Sequence, residues 1–477
     1  MVGNDDNKMG RWGAISYVLG NIVGAGIFIA PTTISNQVGS AGISLTIWLF
    51  SALICTIGGF CYLELGTIVK KSGGDFAYHC FVKWHWIAFI FMVSGCVLVY
   101  PMQLAIAADA SGEYIGLGFA EHPHAYWLKK LLGFSIVWLI LFLNFFSIRR
   151  VVAPFQMISS FAKLIACTFV IGLGAFQFFM RGSKFKNFDD LFVNSTYSPG
   201  QISAALLGGF YSYDGWDILN WGAEEIRNPR KVMPVAIIGG MILVACLYTT
   251  MNCAYFTLLT ADEMKASNAV AITFIERIIG QHVASCTVPL LINLVLLGSI
   301  NGTMFIASRY LFAAARERHL PTFLACVNEK NDSPRSALLI HVLFAFILSF
   351  IGNIDQLIVS MGFAQLLQRC CTLSALLYIR FNIELNNDNE IIRTPLILPI
   401  LFLAICVILV SIIVIQKFSD AYIALIVLTF SSFIYLLFLW SNGLRRFERY
   451  RIVAEKINAS ICYMTQVVFD GRIEAIE

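Results

Sequence analysis

The chain has 477 residues, of which 58% are hydrophobic and only 13% charged, with a formal net charge of +4. A soluble globular protein carries about 25% charged residues, so this composition excludes one and specifies a polytopic membrane protein. A net charge this small names no partner class, nucleic acid is not expected, and the placement of Lys and Arg carries the information.

Residues 1–12 are polar and too short for a cleaved signal peptide, so the first span is expected to serve as the insertion signal behind a cytosolic N-terminus. Between residues 13 and 442, windows of about 20 apolar residues recur along the chain. They are centred near Gly26, Cys55, Val99, Val137, Val170, Tyr211, Val244, Leu296, Phe344, Cys370, Cys406 and Phe430. The predicted architecture is an all-α membrane protein with twelve transmembrane helices. Residues 443–477 form a tail whose apolar positions Ile452, Ile457, Ile461 and Met464 predict an amphipathic helix on the inner membrane face. A disordered tail is the competing reading.

Lys70, Lys71, Arg149, Arg150, Arg227, Arg230, Lys231 and the basic run from Arg445 fall on the side of the N-terminus, with Lys129, Lys130, Arg181, Lys184, Lys265 and Lys417 on the other. This asymmetry predicts a multi-pass protein of the cell membrane with both termini cytosolic. The sequon Asn194-Ser195-Thr196 then falls in an outer loop, and its use stays open.

Two spans are interrupted by glycine. Gly24-Ala25-Gly26 precedes Pro31 in the first, and Gly208-Gly209 with Asp214-Gly215 breaks the sixth. Glycine costs about 1 kcal/mol against alanine inside a helix, so neither span is expected to be continuous. Main chain freed at bilayer depth is tolerated only where it meets protein, water or a ligand, and paired interruptions point to a midplane binding site. The competing reading of Gly24 and Gly26 is close helix packing.

Most of the 13 cysteines lie in apolar runs, where cysteine behaves as a small hydrophobe. No CxxC pair, Cys/His cluster, HExxH or GxSxG occurs. No metal, cofactor or enzyme site is therefore expected.

Five ordered motifs carry a resemblance. Gly24-Ala25-Gly26-Ile27-Phe28-Ile29-Ala30-Pro31, Lys70-Lys71-Ser72-Gly73-Gly74-Asp75, Ser212-Tyr213-Asp214-Gly215-Trp216, Glu224-Glu225-Ile226-Arg227-Asn228-Pro229-Arg230 and Gly298-Ser299-Ile300-Asn301-Gly302-Thr303 resemble the L-type amino acid transporters. These are the light subunits of heteromeric exchangers, within the amino acid–polyamine–organocation superfamily. The resemblance implies a five-plus-five inverted repeat (LeuT-like) followed by two extra spans. It also implies sodium-independent exchange of L-amino acids, neutral and cationic, by alternating access. A transport-incompetent amino acid sensor on the same scaffold is the alternative.

An amino acid's carboxylate would take the backbone N–H groups of Gly24, Ala25 and Gly26 at a helix N-terminus. Ala25 stands where relatives often carry serine, which leaves backbone donors alone. The ammonium would take carbonyls freed around Tyr211, Ser212 and Asp214, and the carbonyl of Ile22. The resemblance makes Tyr211 a gate over the substrate, against a reading as bulk aromatic packing. A carboxylate at this depth is functional by default. Asp214 would attract a cationic side chain, or pair with Arg369, and Asp217 resembles a position used by the basic/neutral exchangers. Lys163 resembles a lysine standing where sodium-coupled cousins hold an ion, with snorkelling as its alternative. Asn301, Gly302 and Thr303 would line the site from the eighth span. Leu366 replaces a tryptophan frequent in relatives, and Gln365 and Arg369 also depart from the pattern.

The light subunits bond a heavy-chain glycoprotein through an outer-loop cysteine between spans three and four. None occurs here between Cys96 and Cys167. A covalent heavy chain at the usual loop is not expected, and a non-covalent membrane glycoprotein partner remains open.

Overall fold

The computed structural model describes residues 11–69, 74–116, 125–146, 151–180, 191–221, 228–267, 269–316, 319–331, 333–383, 391–439 and 446–473. The expectations for most of the N-terminal segment, for residues 70–73 and 224–227 of two motifs, for most of the outer loop before Lys129, and for Arg149, Arg150, Arg181, Lys184 and Arg445 fall outside them.

Apolar runs in a bilayer must bond their backbone internally, and the helix does so within one segment. In chain order the helices are α1 (Arg11–Ile22), α2 (Gly26–Val38), α3 (Ala41–Val69) and α4 (Gly74–Phe81). Next come α5 (His85–Gly116), with a π-helical stretch at Gly95–Val99, α6 (Ala125–Asn144), α7 (Ala153–Met180), α8 (Pro199–Tyr213) and the single turn α9 (Ile218–Trp221). They are followed by α10 (Pro229–Phe256), α11 (Ala261–Ala266), α12 (Val270–Ile279) and α13 (Gln281–Arg316). The short strand β1 (Cys326–Asn328) precedes α14 (Arg335–Leu348), α15 (Ile354–Asn382), α16 (Ile397–Gln416) and α17 (Phe418–Ile434). The tail supplies α18 (Glu448–Phe469) and β2 (Gly471–Ile473).

Among the described residues, 8 helices are long and apolar enough to cross a membrane: α3, α5, α6, α7, α10, α13, α16 and α17. The remaining candidates are divided or polar. α1, α2, α8 and α14 have 12, 13, 15 and 14 residues, and α15, with 29, carries Asp355, Arg369 and Arg380.

The chain forms two compact units. The first comprises Met1–His85, Ala162–Ile292 and Gln365–Ala421. Its interior is closed by aromatic side chains: Trp48, Tyr213 and Tyr248 meet at centroid distances of 5.0 to 6.1 Å, and Tyr62 meets Trp216 edge-on at 5.0 Å. An ion pair on a buried carboxylate ties three of its segments. The Glu64 carboxylate on α3 accepts Arg380 Nε of α15 at 2.7 Å, the Arg380 Nη2 group, and the Thr394 backbone N–H at 3.0 Å. Glu64→Ala leaves that guanidinium without its anion and is expected to destabilise the protein by about 3–5 kcal/mol. A lowered thermal midpoint in detergent measures this, and an unchanged midpoint contradicts it.

The second unit comprises Trp86–Phe161, Asn293–Ala364 and Tyr422–Glu477. Lys130 of α6 bonds Asp109 of α5 at 2.7 Å and the Ser349 carbonyl after α14 at 2.6 Å. Asn301 of α13 is bonded on both sides of its amide, accepting from Asn144 at 2.8 Å and donating to Gln156 at 2.7 Å. β1 and β2 pair antiparallel, with Cys326 opposite Ile473. Ile473 packs against a cluster of Cys96, Leu311, Ala315, Leu324, Ala325 and Ala337.

Candidate functional site

The two glycine-containing interruptions meet in the first unit. α1 stops at Ile22, Val23–Ala25 bend, and α2 starts at Gly26. α8 stops at Tyr213, Asp214 leaves the helical region (φ −59°, ψ 146°), and Gly215 turns with φ +101°. A side chain at Gly215 would be strained, and its Cβ would lie 2.3 Å from Asn21 Nδ2. That amide instead donates to the Gly215 carbonyl at 3.2 Å. At Gly26 the neighbour is backbone instead of a side chain, because an added Cβ would lie 2.4 Å from the Cα of Ser212. Glycine is required there by proximity, main chain against main chain.

A helix end leaves carbonyls without intrahelical donors, and two side chains serve those of α1. The buried Lys163 points its Nζ to the Gly20 carbonyl at 3.4 Å. A cation at a helix C-terminus also suits the helix dipole. The Tyr248 hydroxyl of α10 lies 2.9 Å from the Ile22 carbonyl and 3.2 Å from that of Ser212. With one proton to share between two acceptors, this phenol joins the end of α1 to the last turn of α8. Nothing in the sequence reading singled out Tyr248. The available signal was a tyrosine in an apolar run, whose hydroxyl needs a partner when buried.

Asp214 faces α15. Its Oδ1 lies 3.3 Å from Arg369 Nη2 and its Oδ2 accepts from Gln365 Nε2 at 3.2 Å. The Arg369 guanidinium also lies 5.2 Å from the centre of the Trp216 ring. In the first turn of α4, the Asp75 Oδ1 accepts from the hydroxyls of Tyr62 and Thr372, both at 2.6 Å. This buried carboxylate, part of a motif quoted above, had no role in the sequence reading.

The structure thus brings together Ile22, Gly24, Ala25, Gly26, Ser212 and, through Gly20, Lys163. Tyr211, Asp214 and Asp217 follow at the end of α8, all three half-buried. Thr303 lies on α13 in the second unit, where Asn301 is committed to Asn144 and Gln156. Among the described residues, no group of three or more His, Cys, Asp or Glu is arranged to hold a metal ion.

The sequence pattern of one family, amino acid permease, matches residues 9–445. The chain belongs to the amino acid permease family. That family transports, and does not perform, chemistry on its substrates. The permease is 43% identical over 466 residues to amino acid transporter protein 6 of Caenorhabditis elegans, covering 97% of this chain and 88% of the relative. It is 34% identical over 459 residues to the Homo sapiens cystine/glutamate transporter, covering 95% and 89%. Against the Mus musculus b(0,+)-type amino acid transporter 1 it is 32% identical over 448 residues, covering 92% and 90%. The permease is accordingly a multi-pass membrane protein of an amino acid transporting family.

For a permease of this geometry, Tyr248→Phe removes the bond that holds the two interruptions in register. The expected result is a roughly tenfold rise in KM for amino acid uptake, the value of about one neutral hydrogen bond, with surface expression retained. A concentration series of labelled uptake reads it, and an unchanged KM counts against the role.

Proposed function

We propose that this permease is a sodium-independent exchanger of L-amino acids, neutral and cationic, of the L-type class, working by alternating access. The observation that carries the reading is the meeting of two helix interruptions, where Gly26 and Ser212 approach main chain to main chain and Tyr248 bridges both. Such a junction offers N–H groups from the start of α2 and carbonyls from the end of α8. These are opposite poles for a zwitterion, and its carboxylate is drawn to a helix N-terminus. Gly24, Ala25 and Gly26 would hold the carboxylate. Ile22, Tyr211 and Ser212 would hold the ammonium, with Tyr211 as the gate.

Twelve spans follow if α1 with α2, α8 with α9, α14 and α15 each cross once beside the eight long apolar helices, in a LeuT-like five-plus-five repeat plus two. Lys163 supports sodium independence. A fixed ammonium at the end of α1 supplies the charge that a sodium ion would otherwise bring. Asp214 and Asp217 would act on the substrate side chain. The Asp214–Arg369 pair balances its own charge, which favours neutral side chains and admits a cation that displaces Arg369. The relatives' names, which include cystine and glutamate for one of them, fit a site of this kind. The protein would sit in the plasma membrane with both termini cytosolic. A glycoprotein partner would associate without a disulfide at the usual loop.

Purified permease in liposomes tests the reading. Preloaded labelled leucine should leave several-fold faster when leucine or lysine is outside than when buffer is, equally in sodium and choline. No acceleration by any external amino acid would favour the sensor, and a sodium requirement would overturn the role given to Lys163.

A further inference from the structure

We infer that the outward half of the tail helix α18 is a docking surface for the anionic face of a lipid bilayer. The helix is seated by directed polar bonds. Asn458 accepts from the Thr322 hydroxyl at 2.7 Å, and the Phe469 carbonyl accepts from Asn328 Nδ2 at 2.9 Å and Arg335 Nη1 at 3.2 Å. β2 then continues into the pairing with β1. Cys462 and Thr465 are the buried residues on this inward side.

The outward side is the apolar one. Ile452, Val453, Ile457, Ile461, Met464 and Val468 are each 39% to 72% exposed. At about 100° per residue they fall on one half of the helix circumference, in a strip about 24 Å long. A tail helix facing water alone would be arranged the other way round, with its apolar face against the protein.

Charge decides between occupants. Arg449 and Lys456 lie within the apolar half, whereas Glu448 and Glu455 lie on the other half with Arg451. The apolar half is therefore purely cationic. Basic side chains can run their methylenes along an apolar surface and lift their charges to a headgroup. Apolar area with cations at its margin is the pattern of a helix lying in an anionic interface. A bilayer is within reach of any membrane permease, so the inference rests on the family's membrane placement and not on transport or sidedness.

Full-length permease in lipid nanodiscs tests it. A photoreactive diazirine amino acid replaces Val453, Met464 or, on the other half, Glu455, and adducts are identified by mass spectrometry. Lipid adducts several-fold more abundant at Val453 and Met464 than at Glu455 are expected. Their yield should fall several-fold in discs without phosphatidylserine, and in Lys456→Glu with phosphatidylserine present. Adducts to protein, including a second copy, or equal lipid yield at all three positions would overturn the inference. Yield indifferent to both phosphatidylserine and Lys456→Glu would overturn the anionic assignment.

Discussion

Gly26→Ala is expected to cut amino acid exchange by about 100-fold while the protein still folds and inserts. The added methyl has nowhere to go, because its Cβ would stand 2.4 Å from the Ser212 Cα and 3.0 Å from the Ser212 Cβ. Backbone cannot turn aside as a flexible side chain does, so α2 and the end of α8 must part by about an ångström. A displacement of that size at a binding constellation costs about 100-fold in turnover. Gly239→Ala is the matched control in the same unit, since the nearest atom to its Cβ would be 3.8 Å away, in ordinary contact. That variant should exchange as the parent does, with the small gain in helix stability that alanine brings. Exchange per inserted molecule in liposomes measures both. Wild-type exchange by Gly26→Ala would mean that the interruptions do not carry the substrate.

Breaking the Asp214–Arg369 pair should shift selectivity in opposite directions according to which partner is removed. Arg369→Gln takes the Arg369 cation from the Asp214 carboxylate, and the site gains one negative charge relative to the parent. Asp214→Asn leaves Arg369 against the face of Trp216 with a net positive charge. Each removal shifts the charge of the site by one unit, which leaves the half-buried Asp214 or the buried Arg369 to act on a charged substrate side chain. The expected changes in the lysine-to-glutamate uptake ratio are about tenfold upward for Arg369→Gln and about tenfold downward for Asp214→Asn, each equal to roughly 1.4 kcal/mol. Leucine uptake should move less than either. Equal losses of lysine, leucine and glutamate in both variants would make the pair a purely structural bond between α8 and α15.

Much of this was legible along the chain because it depends on local chemistry. Apolar runs dictate helices in a bilayer, and two runs interrupted by glycine near Pro31 and around Asp214 dictate where those helices fail. The helix ends at Ile22 and Tyr213 follow from the low helical preference of the residues that succeed them. Asp214 was visible as a carboxylate in an apolar run, and Lys163 as a cation in one. What each of these side chains touches was decided only in three dimensions. Tyr248 lies 226 residues from Ile22, Gln365 lies 151 from Asp214, and Thr372 lies 297 from Asp75. No local preference encodes such pairings, because a buried hydroxyl or carboxylate takes whichever partner the packing presents. The tail makes the same point. The spacing of its apolar residues is a local property, but the direction that face points was set by the bonds from Thr322, Asn328 and Arg335, which turn the polar side inward.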